Sequence, residues 1–205
     1  MASGREALER ANGFTLVELV VTLGVLAIVL NMAAPSFRDL VGDMRNTSRY
    51  NRLASDLRLA RLEAIKRGGD VSLCARGGAD ACGDDWSLGW HVFAEKSAAD
   101  GGTRGAIDAD ERILVSRLND DTGVSITAEA SIRPADAEAR GFIRFDGRGR
   151  SDWSLGTFVV CDGRGPEKAL GLIVNGAGGV RHAYDPPGDP AVVQDAFGDA
   201  VECGA

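Results

Sequence analysis

The sequence of 205 residues predicts an α+β protein in which a long N-terminal helix packs on an antiparallel β-sheet head. Three observations support this prediction. Residues 14–37 form an apolar run, residues 38–67 form a helix-forming stretch without proline, and several short β-type segments separated by turn signals follow from residue 68. No other long helical pattern is present to cover a sheet. We therefore expect a polar leader over 1–13, a transmembrane helix over 14–37, its amphipathic continuation over 38–67, and a β-rich head with a C-terminal tail over 68–205.

The composition is globular and acidic. Apolar residues make up 44% and charged residues 26% of the chain, and the formal net charge is −7. This balance argues against a general nucleic-acid coat protein, which needs cations for phosphates. The charge is unevenly distributed, since residues 38–67 carry +4 whereas residues 68–205 carry −10.

The apolar run over 14–37 has the length of a membrane-spanning helix. About 20 residues at ~1.5 Å rise cross a hydrocarbon core of ~30 Å, and this run has 24 residues with Glu18 as its single charge. A secretory signal peptide is the alternative. Three features count against it: the two arginines of the leader are matched by two glutamates, no small-x-small triplet ends the run, and Glu18 lies inside the apolar segment.

Residues 13–19 read Gly-Phe-Thr-Leu-Val-Glu-Leu. They resemble the type III (prepilin-type) signal of type IV pilins and type II secretion pseudopilins. The resemblance implies that a prepilin peptidase cuts between Gly13 and Phe14 on the cytoplasmic side and N-methylates Phe14. Glu18 would then pair with the new amino terminus of a neighbouring subunit, which neutralises both charges in low dielectric. Alternatively, Glu18 is close enough to the membrane surface for its carboxylate to reach water.

The stretch from 38 to 67 is expected to continue the helix, with a kink at Pro35 and an end at Gly68-Gly69. One apolar stripe, Leu53, Leu57, Ala60 and Ala64, falls at helical spacing and is expected to pack on the head. We expect the opposite side to be a solvated or subunit-facing surface rather than a nucleic-acid site. Its basic residues are Arg45, Arg49, Arg52, Arg58 and Arg61.

Short β-type segments follow the helix and predict an antiparallel sheet. Residues 175–205, which contain three prolines, are expected to form a last short strand and a poorly regular tail. The other predicted strands lie at residues 70–74, 86–93, 112–118, 123–128, 141–145, 156–161 and 169–174.

All four cysteines follow the predicted membrane segment. If the cleaved end is cytoplasmic, the head is periplasmic, where disulfides form. Proximity in sequence favours Cys74 with Cys82 and Cys161 with Cys203, although four cysteines also allow two other connectivities. Zinc binding is not indicated, because no C-x-x-C or Cys–His pair has ligand spacing.

Five segments of the head carry a second resemblance: residues 74–93, 110–114, 142–145, 157–162 and 172–175. Taken in order, they are similar to the H-type (GspH- and FimT-like) minor pseudopilin family, and the similarity runs from Phe14 to Tyr184. This family includes the H subunit of type II secretion and the T- and U-type minor pilins of type IV pili.

The resemblance implies a structural subunit of the type II secretion pseudopilus tip that supports protein export across the outer membrane. The chain would cross the inner membrane of a Gram-negative bacterium once, with its head in the periplasm. Its partners would be prepilin peptidase, other minor pseudopilins or pilins, and the major subunit. The alternative is a minor pilin of a type IV pilus, with a role in pilus assembly and DNA uptake.

Some T-type pilus members bind DNA through a Gly-Arg-x-Arg loop near the C-terminus. The matching stretch here, Gly178-Gly179-Val180-Arg181, lacks the first arginine. A second string, Gly147-Arg148-Gly149-Arg150, has the letters but precedes a different strand, and it is expected to be a glycine turn with solvated arginines. Arg148, Arg150 and Arg181 are therefore candidate DNA contacts that the acidic head does not favour.

Enzymatic activity is not expected. His91 and His182 are the two histidines, and neither a G-x-S-x-G nor an H-E-x-x-H motif accompanies them. The acidic stretch Asp108-Ala109-Asp110-Glu111 lacks the ligand spacing of an EF-hand. We expect no catalytic residues, no cofactor and no metal.

Overall fold

The computed structural model describes residues 14–119, 123–130, 141–152, 155–183, 193–195, 198 and 200–203. Gly13 and the rest of the leader therefore lie outside the described residues. The chain divides into two compact units between Val41 and Gly42, and each unit is described by itself below.

Helix α1 spans Leu16–Arg67, and Pro35 lies inside it. Its residues 16–40 are exposed, and the part up to Phe37 is mostly apolar. The helix ends where the sequence predicts. Gly68 has a φ of +64°, and the N–H groups of Gly68 and Gly69 donate to the carbonyls of Ile65 and Ala64. A left-handed glycine ends the helix because it satisfies these carbonyls without a Cβ clash.

The second unit contains nine described strands, all of which pair antiparallel. They are β1 (Val71–Arg76), β2 (Cys82–Gly83), β3 (Gly89–Ala94), β4 (Arg112–Leu118), β5 (Val124–Ala130), β6 (Phe142–Phe145), β7 (Leu155–Asp162), β8 (Leu170–Asn175) and β9 (Val180–His182).

The strands form two sheets. In the first sheet β3 lies between β1 and β4, and the other edge of β1 is shared by two strands. Strand β6 pairs with residues 71–74 and β2 with residues 75–76 of β1. The second sheet has the order β5-β7-β8-β9. The chain enters the second sheet at β5, returns to the first for β6, and completes the second with β7 to β9.

One hydrophobic core joins the helix to both sheets. The predicted stripe of Leu53, Leu57, Ala60 and Ala64 is fully buried, which confirms the amphipathic reading of this part of the helix. Alternate residues of the strands meet it, as the two-residue period of a strand requires. They include Trp90 and Val92 of β3, Phe158 and Val160 of β7, and Leu172 and Val174 of β8. Burial of each large side chain contributes about 1.5–3 kcal/mol to stability. The predicted α+β class is confirmed.

Two local predictions differ from the structure. Residues Trp86–Leu88 form a 3₁₀ turn rather than the start of a strand, because the Asp85 carboxylate accepts the N–H of Ser87 and caps it. Strand β2 is not among the predicted strands, since two residues are too few to show a pattern.

Candidate functional site

The described part of the predicted processing signal lies at the start of α1. Phe14 is 82% exposed, and the Thr15 hydroxyl accepts the N–H of Glu18 at 3.2 Å in the first turn of α1. The carboxylate of Glu18 has no hydrogen-bond or ion-pair partner within the part of the chain that the structure describes. An acidic group on an apolar helix usually has a partner, so any partner of Glu18 has to come from outside these residues.

The apolar run is a membrane-span candidate by length and composition. Helix α1 contains an 18-residue window of mean hydropathy 2.3, none of which is buried. Leu16, Ile28 and Leu30 are each more than half exposed. A contiguous exposed surface of this kind indicates contact with a membrane or a partner.

Two disulfides are present in the head. Cys74 in β1 is bonded to Cys82 in β2, with 5.6 Å between their Cα atoms. Cys161 in β7 is bonded to Cys203 in the tail, with 5.8 Å between their Cα atoms. No cysteine among the described residues has a free thiol.

The two stretches considered above as DNA-contact loops, residues 147–150 and 178–181, lie far apart in sequence but touch in the structure. Gly149 lies in the turn before Ser151 and Gly178 in the turn between β8 and β9, and a Cβ on Gly178 would lie 2.0 Å from the Gly149 carbonyl oxygen. The Ser151 N–H also donates to the Gly176 carbonyl at 3.1 Å. We call this pair of touching turns, residues 146–150 and 175–179, the turn pair.

Helix α1 fixes the turn pair through one side chain. Arg61 donates from Nε to the Gly149 carbonyl at 2.9 Å and from Nη2 to the Ala177 carbonyl at 3.0 Å. The guanidinium therefore holds both turns against the helix, since hydrogen bonds from a charged donor are stronger than neutral ones.

Arg148 and Arg150 of the turn pair, and Arg181 in the adjoining strand β9, differ in their partners. Arg150 is paired with Asp146 at 2.8 Å, and Asp146 also accepts the N–H groups of Arg148 and Arg150. The exposed guanidinium groups of Arg148 and Arg181 have no partner within the residues that the structure covers. Burial alone would raise the pKa of Asp146, but hydrogen bonds from Arg150 and Arg148 hold it below its ordinary value.

The prediction of a solvated basic helix surface is wrong for two of its five arginines. Arg49 is buried, 5% exposed, and its guanidinium donates to the Asn119 side chain. Arg61 is half-buried under the turn pair. Both side chains are long enough to reach carbonyl or amide oxygens in loops beside the helix, which periodicity alone does not reveal. Arg45, Arg52 and Arg58 are exposed as predicted.

Asp56 is a buried helix residue that the sequence reasoning missed. It lies next to Leu57 in the buried stripe and is 2% exposed. Its carboxylate accepts the indole N–H of Trp90 at 2.9 Å and pairs with Arg117 of β4 at 2.9 Å. The sequence could have indicated this, because Asp56 lies three residues after Leu53 and four before Ala60, on the side of the helix that is buried. A carboxylate in that position needs a buried partner.

A second group of polar contacts joins residues 42–46 of α1 to the end of β7 and the β7–β8 loop. Asn46 is 1% exposed and donates to the Asp162 carboxylate at 3.0 Å and to the Lys168 carbonyl at 3.1 Å. Arg164 pairs with Asp162 at 2.7 Å and with Asp43 at 2.8 Å. Its guanidinium lies against Gly42, where a Cβ would be 2.7 Å from the Arg164 Cζ.

The carboxylates of the acidic loop after β3 organise its backbone. Glu111 accepts the N–H groups of Lys96 and Asp108, at 2.7 and 3.0 Å, and Asp108 accepts that of Thr103 at 2.6 Å. Among the residues with assigned positions, no group of three or more potential ligands could hold a metal ion.

The sequence matches two family profiles. The family described as type II transport protein GspH matches residues 50–178. The prokaryotic N-terminal methylation motif matches residues 9–33, which include Gly13, Phe14 and Glu18. No curated protein matches the sequence.

Solved structures that are similar to this chain include a minor pilin and a minor pseudopilin. The type IV minor pilin FimU of Pseudomonas aeruginosa is 17% identical, with a TM-score of 0.49 over 69% of this chain and 89% of that chain. The minor pseudopilin EpsH from the type 2 secretion system of Vibrio cholerae is 12% identical, with a TM-score of 0.43 over 70% of this chain and 98% of that chain.

Proposed function

Because this chain belongs to the family of type II transport protein GspH, we propose that it is a minor pseudopilin at the tip of the type II secretion pseudopilus. Such a subunit is structural and supports protein export across the outer membrane. The observation that carries the proposal is the combination of an N-terminal methylation motif with a head that matches this family over residues 50–178. Membership of a family of type II transport proteins favours the secretion role.

The motif implies processing by prepilin peptidase. In our proposal the enzyme removes residues 1–13 and methylates the amine of Phe14. Residues 14–37 then hold the subunit in the inner membrane, residues 38–67 continue the helix, and residues 68–205 form a periplasmic head. The exposed apolar surface of the first unit supports the membrane assignment. The two disulfides support an oxidising compartment for the head.

Glu18 is proposed to act in assembly. Its carboxylate has no partner within the described part of its own chain. In the apolar layer it would gain one from the amine of Phe14 on an adjacent subunit, because each charge is costly there when unpaired. This pairing would favour transfer of the subunit from the bilayer to the filament and set its axial position next to the major subunit and the other minor subunits.

Deletion of the gene for this chain in the source organism tests the secretion role. We expect the deletion strain to lose the release of extracellular hydrolases, measured in the culture supernatant. Wild type on a plasmid should restore release, whereas Glu18→Ala should not, because the carboxylate that pairs with the amine is missing.

Glu63→Ala is the matched control, since it removes another glutamate of the same helix, one that pairs with Lys66 and Arg67 near the end of α1. Glu63→Ala should restore release. Normal release in the deletion strain would contradict the secretion role and assign the subunit to a pilus.

A minor pilin that contacts DNA is the second candidate, and the turn pair is the observation that favours it. Its two turns bring both Gly-Arg strings together, and Arg148 and Arg181 have no partner in the described residues. Phosphate contacts need such available cations, although the charge of −10 on residues 68–205 opposes them.

A gel shift of duplex DNA with the full chain in detergent tests this candidate. If DNA binds at low salt, Arg148→Ala with Arg181→Ala should abolish the shift. Arg45→Ala with Arg52→Ala removes the same charge from the exposed helix surface and should leave the shift in place. The absence of a shift at low salt would remove DNA binding as a function.

A further inference from the structure

A histidine is buried on the side of the first sheet that faces away from the main core. Side chains alternate along a strand, so Trp90 and Val92 of β3 enter the main core whereas His91 between them points to the opposite side. His91 is nevertheless fully buried, at 0% exposure. The cover of its ring therefore comes from the loop and the side chains on that side of the sheet.

The loop between β1 and β2, residues 77–81, is fixed to this ring and is called the β1–β2 loop below. The carbonyl oxygen of Gly78 lies 3.1 Å from Nε2 of His91. A carbonyl oxygen accepts hydrogen bonds and does not donate them, so Nε2 is the donor. The Gly77 N–H donates to the Ala81 carbonyl at 2.8 Å, which closes the loop on itself. These two contacts define the closed form of the loop.

The side chain of Arg76 crosses β3 beside the histidine ring. Strand β3 lies between β1 and β4, and His91 is paired with Cys74 of β1 and with Ser116 of β4. Arg76 of β1 donates to the Ser116 hydroxyl at 2.6 Å. It therefore spans β3 on the side where the ring lies. The ring is thus influenced by two charges, the Arg76 guanidinium and the Asp80 carboxylate of the β1–β2 loop.

Protonation of this ring is costly while the loop is closed. Nδ1 of His91 is buried and has no hydrogen-bond partner among the described residues, so a proton added there would lack an acceptor. The new charge would also be repelled by Arg76. Burial lowers the pKa of His91 below its ordinary 6.5, and Arg76 adds to this effect, whereas the Gly78 hydrogen bond and the Asp80 charge oppose it. Burial and repulsion therefore outweigh the hydrogen bond that the protonated ring would retain.

We propose that His91 is an acid-sensitive latch on the β1–β2 loop: protonation of its ring opens the loop from β3 while the two sheets stay folded. In the open form water accepts the Nδ1 proton and solvates the charge. The disulfide between Cys74 and Cys82 keeps the ends of the loop together, so the opening is local. The ring lies outside the main core, which need not change. The inference applies to a secretion subunit and to a pilus subunit alike.

The direction of the pH effect follows from proton binding. The closed form binds the proton of His91 less tightly than the open form, because its pKa lies below 6.5 when the loop is closed. The stability of the closed form is therefore complete above pH 6.5 and falls as the pH drops from there towards the lowered pKa. One proton is taken up, so the opening constant should rise by up to about ten-fold per pH unit in this window.

Hydrogen–deuterium exchange of the full chain in detergent, resolved by residue with NMR, tests the proposal. After correction for the intrinsic exchange rate, the opening constant of the Gly77 amide should be at least about five-fold larger at about pH 5 than at about pH 7. The Asn119 amide donates to the Leu88 carbonyl at 3.1 Å. Its opening constant should not change, because the sheet stays folded.

His91→Gln removes the titrating ring and keeps an N–H donor for the Gly78 carbonyl. The opening of Gly77 should then be independent of pH over the same range. His182→Gln is the matched control, since it removes the other histidine of the chain, which is exposed on β9, and it should keep the wild-type pH dependence. A pH dependence that persists in His91→Gln would overturn the proposal. Opening of Asn119 together with Gly77 would also overturn it, because the sheet rather than the loop would then open.

An NMR titration of the wild-type imidazole rings gives a second reading that does not depend on how His91→Gln folds. The His182→Gln variant assigns the ring signals. The His91 ring should titrate below pH 6.5, and the chemical shift of the Gly77 amide should change with the same midpoint. Titration of His91 at or above pH 6.5 would contradict the proposal, as would a Gly77 signal that does not follow the ring.

Discussion

At the scale of single residues, two carboxylates of the head have pKa values shifted in opposite directions. The Glu95 side chain is 2% exposed, and burial raises its pKa above the ordinary 4.5 despite hydrogen bonds from the Gly105 N–H and the Ser72 hydroxyl. Burial alone would also raise the pKa of Asp162. Hydrogen bonds from Arg164 and Asn46 outweigh it and hold that pKa below the ordinary 3.8.

Glu95→Gln should change the pH dependence of stability in one direction. A raised folded pKa means that the folded state binds the proton more tightly, so the stabilisation is complete below pH 4.5 and is lost as the pH rises through the folded value. The unfolding free energy of wild type minus that of Glu95→Gln should therefore fall from pH 4.5 towards neutrality. Urea unfolding followed by tryptophan fluorescence measures this difference.

Asp162→Asn should show the opposite trend. Its lowered folded pKa gives stabilisation that is present above pH 3.8 and is lost as the pH falls through the folded value. The advantage of wild type over Asp162→Asn should thus be full at neutral pH and shrink in acid. If the difference in unfolding free energy from wild type varied with pH in the same direction for Glu95→Gln and Asp162→Asn, the assignment of opposite pKa shifts would be wrong.

At the scale of elements, the turn pair depends on the absence of a side chain at Gly178. Gly178 has a φ of +74°, and an added Cβ would lie 2.0 Å from the Gly149 carbonyl oxygen. The substitution Gly178→Ala therefore adds left-handed strain to a backbone clash. We expect it to destabilise the head by about 2–4 kcal/mol.

Gly163→Ala is the control for this prediction. Gly163 lies in the β7–β8 loop with open space around it and no positive φ. Thermal unfolding should show a lowered midpoint for Gly178→Ala and a nearly unchanged midpoint for Gly163→Ala. Equal midpoints for the two variants would contradict the close contact between the turns.

The elements show why part of this fold was predictable. Periodicity located the buried stripe of α1, and the β-type segments gave seven strands to within a few residues, because these signals are local. The partners of Asp56 lie in strands β3 and β4, and the Arg49 partner Asn119 follows β4. No local pattern specifies such distant partners. The meeting of Gly149 with Gly178 depended on the sheet order, which the sequence reasoning did not include.

At the scale of the whole molecule, the proposed processing of the N-terminus should change the mass of the protein. The methylation motif covers residues 9–33. The intact mass of the membrane-bound protein should lack residues 1–13 and carry one additional methyl group. Substitution of Gly13 by a larger residue should leave the precursor mass, because it changes the residue on the leader side of the proposed cut. Cleavage near Ala34 would instead identify a secretory signal peptide.

The shared edge of strand β1 has a consequence for the order of folding. Val71 pairs with Phe145, although most of the first sheet and strand β5 lie between them in sequence. The chain must therefore emerge past residue 145 before the edge of β1 at residues 71–74 is closed, and long-range closures of this kind slow folding. A head shortened before that point would keep an open edge, the kind of surface that recruits strands from other chains. The first sheet is thus completed by a strand of only four residues, which follows β5 in the chain.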